Sequence, residues 1–155
     1  MAYSLWGAVA TGLTAGTVLA LVAYGCLVLL RLKLDPFFFL GTIAPFRRGL
    51  ALYPAGLLAF LLASIVFALV YAALFEAIGI QRGEREWGLL FGVLHWVVDG
   101  TLLGVASRRH PGILRGRVAD PGAFALSLPT ASAIAFLGAH LVYGVLAVNF
   151  YAALR

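Results

Sequence analysis

The chain has 155 residues, of which 63% are apolar and only 11% are charged, less than half the share of about 25% usual in soluble domains. Its 11 Lys and Arg against 6 Asp and Glu leave a formal net charge of +5. This excludes an ordinary soluble domain, whose surface needs far more charge, and a disordered chain, which needs low hydrophobicity; an integral membrane protein remains.

A spanning helix needs ~20 mostly apolar residues, because the hydrocarbon is ~30 Å thick and each residue rises ~1.5 Å. Four stretches meet that need. Residues 1–30 carry no charged side chain, the 27 residues 49–75 carry none, and neither do the 34 residues 121–154. The 21 residues 87–107 carry a single charge, Asp99. We read four transmembrane helices, about 4–30, 54–77, 87–106 and 129–153, forming an all-α four-helix bundle in a single transmembrane domain, 1–155. Membrane strands would alternate polar and apolar residues, and these runs do not.

The first run lacks a basic start and is about twice the length of a signal core, so it reads as an uncleaved first span. Arg31 and Lys33 follow it. The connection 31–53 mixes Asp35-Pro36-Phe37-Phe38-Phe39-Leu40-Gly41 with Pro45-Phe46-Arg47-Arg48. It is expected to lie in the membrane interface, aromatics down and arginines at the headgroups. Between the last two helices, His110-Pro111-Gly112 and Asp120-Pro121-Gly122 read as turns, with His110 solvated. Cys26 is the single cysteine, which leaves no intrachain disulfide to form.

Orientation follows from the basic residues. Arg31, Lys33, Arg47, Arg48, Arg108, Arg109, Arg115 and Arg117 fall on one side, and Arg82, Arg85 and Arg155 on the other, with Glu76, Glu84 and Glu86 among them. The richer side is expected to be cytoplasmic, with both termini on the non-cytoplasmic side of the cell (inner) membrane. Tyr3, Trp6, Trp87 and Tyr151 would form the outer aromatic belt, and Tyr53 the inner one. Lipid headgroups account for the basic surplus, and no basic–aromatic stripe points to nucleic acid.

Helices in lipid associate through close backbone approach, which small residues permit. The first helix carries Ala8, Gly12, Gly16 and Ala20 at four-residue spacing. The third carries Gly88, Gly92, Gly100 and Gly104, and the fourth Gly144 and Ala147. Packing within the chain is the first reading of these stripes, and contact in a homo-oligomer the second.

Two histidines and an aspartate lie within the spans, where a charge costs at least ~2.5 kcal/mol and must find a partner inside the protein. His95 and Asp99 are one helical turn apart, and with Gly88 and Gly92 they fall in a sector of about 60°. His95 lies about 12 Å in from Trp87 and His140 about 17 Å in from Tyr151, so antiparallel neighbours would bring the two imidazoles face to face. We expect one buried polar cluster of His95, Asp99 and His140, closed by Trp96 and Tyr143.

Four readings suit such a cluster. It could fix helix register. His95 and His140 could be axial ligands of a haem, or one of them could hold a chlorophyll magnesium. Asp99 and His95 could carry protons in a small proton-linked transporter, with Glu76 near the far end of a path. A zinc site ranks last, because a third and fourth ligand are not evident. No cofactor or metal is therefore expected. Catalysis is not expected either, since no nucleophile–base pair, phosphate loop or cysteine pair is present.

Several stretches together, namely Gly12-Leu13-Thr14-Ala15-Gly16, Asp35-Pro36 through Gly41, Val70-Tyr71-Ala72, Gly92 to Gly100 around His95-Trp96, and Gly138-Ala139-His140-Leu141-Val142-Tyr143-Gly144, carry a resemblance. In their order the chain resembles a small family of prokaryotic four-span membrane proteins of unknown function. The resemblance covers nearly the whole chain, implies no activity, and favours a joint role for His95 and His140. The leading expectation is a non-enzymatic structural or accessory subunit of a membrane assembly, whose partners are the lipid bilayer and other membrane subunits or further copies of the chain.

Overall fold

The computed structural model describes residues 3–43, 51–80 and 85–155, and among them all regular structure is helical. Four helices are long and apolar enough to cross a membrane: α1 (Leu5–Leu30), α3 (Leu52–Ile78), α4 (Arg85–Ser107) and α6 (Thr130–Leu154). Large apolar side chains such as Leu21, Leu29, Leu58, Val66, Leu102 and Ile134 are exposed on the outside of the bundle. A helix that is apolar all round belongs in a core or in lipid.

Local chemistry sets the ends. The Ser4 side chain accepts the Gly7 N–H at 3.0 Å and starts α1. At its far end α3 stops at Gly79, whose φ of 78° lets its N–H turn back to Glu76. Its start differs from the expected one by two residues. Pro54 lies inside the first turn, where a helix has no use for the missing N–H.

The helices meet through glycines in antiparallel register. Gly12 lies against Ile65 and Gly16 against Ser64, joining α1 to α3. Gly88 lies against Val145, Gly92 against His140 and Leu141, and Gly144 against Gly88 and Gly92, joining α4 to α6. A Cβ at Gly144 would come within 2.1 Å of the Gly88 carbonyl oxygen, so the two backbones touch. α1 also packs along α6, with Gly7 near Leu154. α3 and α4 are bridged instead by side chains: Phe67 stacks on His95 and Tyr71 packs on Phe91.

Gly100 and Gly104 take a different partner. Facing them is the 3-10 turn Ala123–Ala125, with the Phe124 ring over Gly100 and Ala123 over Gly104. The lower half of the α4 small-residue stripe thus receives a loop. Phe124 and Ala125 hold φ of 55° and 58°, the left-handed region that costs non-glycine residues about 1 kcal/mol or more.

In the connection after α1, two of the aromatics differ from expectation. Asp35 caps a short helix, α2 (Pro36–Gly41), accepting the Phe37 and Phe38 N–H groups at 3.0 and 2.9 Å. Phe37 and Phe39 are buried against protein, not turned toward lipid: Phe37 meets Phe60 edge-on, and Phe39 stacks on His110 with centroids 4.1 Å apart. Gly56 is the cause. It lets α2 lie so close to α3 that a Cβ there would collide with the Phe37 carbonyl. Pro45, Phe46, Arg47 and Arg48, like Arg82 and Glu84, lie outside the described residues.

Two further residues differ from expectation. His110 is 3% exposed, not solvated: its Nδ1 accepts the Gly112 and Ile113 N–H groups and starts the one-turn helix α5 (Pro111–Leu114), while Nε2 donates to the Phe39 carbonyl at 3.1 Å. Tyr151 is not an outer-belt residue. It is 1% exposed, and its hydroxyl accepts the Ser4 N–H at 3.1 Å and donates to Glu76 Oε1 at 3.3 Å. Trp6, by contrast, is 80% exposed.

Candidate functional site

Glycine at 88, 92 and 144 draws α4 against α6, and that contact delivers the polar residues to one another. Asp99 Oδ2 lies 3.3 Å from His95 Nε2 on its own helix and 3.2 Å from His140 Nε2 on the next. The two imidazoles meet edge to face, with centroids 4.7 Å apart and planes at 83°. Both histidines are more than nine-tenths buried, whereas the Asp99 side chain is 34% exposed. One side of the cluster is therefore open.

The far nitrogen of each ring decides the chemistry. His140 Nδ1 is 2.7 Å from the Phe136 carbonyl oxygen, which only accepts, so Nδ1 carries the proton and donates. His95 Nδ1 is 3.2 Å from the Tyr71 hydroxyl, and that hydroxyl gives its own proton to the Phe91 carbonyl at 2.9 Å. With that proton on Phe91 the Tyr71 oxygen accepts from His95 Nδ1; with it turned to His95, Nε2 would instead carry a proton and donate to Asp99. Each neutral imidazole has one donor and one acceptor nitrogen. With both Nδ1 atoms donating, both Nε2 atoms present lone pairs, and they present them to the same carboxylate oxygen.

Three acceptors thus converge on one point within a spanning helix pair. In that tautomer the bare set is unfavourable, and a proton or a metal ion held there would relieve it. The rings are not free to turn away. His95 is stacked on Phe67 at 3.5 Å between centroids and meets Tyr71 and Tyr143 edge-on, and His140 packs on Phe136 at 4.5 Å.

The structure brings His95, Asp99 and His140 together, sets the Tyr143 ring against His95, and turns Trp96 elsewhere. Tyr143 touches His95 with its ring, but its hydroxyl donates to the Ser64 carbonyl on α3. Trp96 packs on Phe124, 4.7 Å between centroids, and its Nε1 makes no hydrogen bond. Glu76 lies at the end of the bundle, where Arg155 holds it at 3.0 Å. Tyr71 was not among the expected site residues. A tyrosine inside a span was the only signal, and nothing in the spacing tied it to His95. The edge-to-face contact of the imidazoles also bears on haem. A macrocycle held between two axial histidines separates their rings, whereas these rings touch. No family model, curated protein or solved structure matches the chain.

Proposed function

We propose that this chain is a small multi-pass protein of the cytoplasmic (inner) membrane that holds a cation at membrane depth, between His95, Asp99 and His140. Both ends would lie on the non-cytoplasmic side, a reading supported by the basic residues that flank the opposite ends of the helices. One observation carries the functional reading: with each Nδ1 held by another partner, the Nε2 atoms of His95 and His140 and a carboxylate oxygen of Asp99 point at one another. A structural subunit that needed only helix register would be served by one histidine donating to one carboxylate. That reading leaves the second converging lone pair unexplained. Ionisable groups at this depth line the routes of protons and ions in membrane proteins.

Infrared difference spectroscopy on the protein in lipid nanodiscs tests it. The Asp99 band is identified by its loss in Asp99→Asn. It is expected to change on acidification or on adding a divalent metal. An Asp99 band that ignores both would overturn the proposal.

A further inference from the structure

We infer that His95 Nε2, Asp99 Oδ2 and His140 Nε2 form a binding site for a divalent transition-metal ion of the zinc class, with a fourth coordination position left open. This rests on the reading of the cluster as a cation site and names the cation.

The donor set is the first argument. Two neutral imidazole nitrogens and one carboxylate oxygen suit Zn²⁺, and suit Fe²⁺ where positions stay open. Among the described residues, these are the only three side chains of metal-binding type whose donor atoms lie within 4.8 Å of one another. Spacing is the second argument. A tetrahedral centre with bonds of ~2.0–2.1 Å sets its ligand atoms about 3.3 Å apart. Asp99 Oδ2 stands 3.3 Å from one Nε2 and 3.2 Å from the other, two edges of that size, and all three donor atoms lie within 4.8 Å of one another.

The surroundings supply the third. Metal-bound histidines donate their second N–H to a carbonyl or another oxygen, which fixes ring and tautomer. His140 does so to the Phe136 carbonyl, and His95 Nδ1 is placed to do so 3.2 Å from the Tyr71 hydroxyl, which itself reaches the Phe91 carbonyl. A proton shared with one histidine would need neither arrangement twice. Phe67, stacked on His95, and Phe136, edge-on to His140, hold the ligands aimed before any ion arrives. Finally, the open side of Asp99 leaves room for a further ligand. A divalent ion against one carboxylate leaves one positive charge, which an anionic fourth ligand would cancel.

The test uses the full chain, free of any affinity tag, stripped with a chelator and placed in nanodiscs. Zn²⁺ is titrated in against a chromophoric chelator, and Co²⁺ is added separately to report coordination by its visible absorption. One Zn²⁺ per chain is expected, with Co²⁺ giving the intense bands of a four-coordinate site. Asp99→Asn and His140→Gln are expected to weaken Zn²⁺ binding by 100-fold or more. Tyr71→Phe keeps every ligand, and is expected to weaken binding roughly 10- to 100-fold and to shift the Co²⁺ bands. It serves where the ligand variants do not fold. Cys26→Ser is expected to leave binding unchanged. The inference is overturned if the wild-type chain takes up no Zn²⁺, if binding survives His140→Gln, or if it is lost in Cys26→Ser. Should the Asp99 infrared band answer to acid and not to Zn²⁺, the cation is a proton. The metal inference then falls while the cation site stands.

Discussion

Gly92 on α4 lies against the backbone of His140 on α6: a Cβ at position 92 would stand 2.6 Å from the His140 carbonyl oxygen and 2.9 Å from the Leu141 Cα. The missing side chain of one residue therefore sets how near the other's imidazole comes to Asp99. Both obstructing atoms are backbone, so relief requires the helices to part. Gly92→Ala is expected to destabilise by about 1–3 kcal/mol. Gly138, two residues before His140 on α6, has open space around it. Gly138→Ala should be neutral or stabilising by up to about 1 kcal/mol, since alanine is the better helix former. Thermal unfolding of the two variants in one detergent checks this; equal melting temperatures would contradict the packing account.

Glu76 and Arg155 close the opposite end of the bundle. The guanidinium is 3.0 Å from Glu76 Oε1 and 3.3 Å from the Ile80 carbonyl, and lies over the Phe75 ring at 4.6 Å. The Arg155 side chain is 5% exposed, so removing Glu76 takes a carboxylate away from a buried charge. Glu76→Ala is expected to cost about 3–5 kcal/mol, and adding Arg155→Ala should recover part of that loss. A double-mutant cycle on unfolding free energies measures the coupling. Strict additivity would show the pair to be independent.

His110 ties the short helix α5 to α2. Its Nδ1 accepts two backbone N–H groups, and its ring stacks on Phe39. His110→Ala loses cap and stacking together, at an expected cost of about 2 kcal/mol or more. His110→Asn keeps a side-chain acceptor for the amides and should lose less. Hydrogen exchange at Gly112 and Ile113 reads the cap directly. Exchange unchanged in the alanine variant would mean that the cap contributes nothing.

Trp96 and Tyr71 both lie near the cluster and should behave differently. Trp96 Nε1 is buried with no hydrogen-bond partner, so Trp96→Phe removes an unsatisfied donor and retains an aromatic body against Phe124. It is expected to change stability by less than about 1 kcal/mol and to leave cation binding as it was. Tyr71→Phe deprives His95 Nδ1 of its acceptor and should disturb binding. Parallel titrations compare them, and a larger effect from Trp96→Phe would reverse the roles assigned here.

Much of the fold could be read from composition, and some pieces could not. Asp35-Pro36 and His110-Pro111 look like breakers, yet each starts a short helix. The first residue caps the turn, and proline at the next position loses only an N–H that has no partner there anyway. Gly100 and Gly104 look identical to Gly88 and Gly92, but the first pair takes the Ala123–Phe124 turn and the second pair takes α6. A stripe of small residues specifies a close approach without saying what approaches. Tyr151 stands where a belt aromatic is expected but turns inward, because the Ser4 amide and Glu76 offer its hydroxyl two partners.

Sequence alone determined that four helices are long and apolar enough to cross a membrane, and that His95, Asp99 and His140 fall well inside two of those runs. Both depend only on the run of residues along one helix, where rise per residue and transfer energy are local quantities. Tertiary structure decided which atoms meet: that both imidazoles turn Nε2 to one carboxylate oxygen, that Tyr71 and Phe136 hold the other nitrogens, and that Trp96 stands apart. Ring orientation and tautomer are set by partners on other helices, brought close by glycines far away in the chain, and no periodicity within a single helix encodes them.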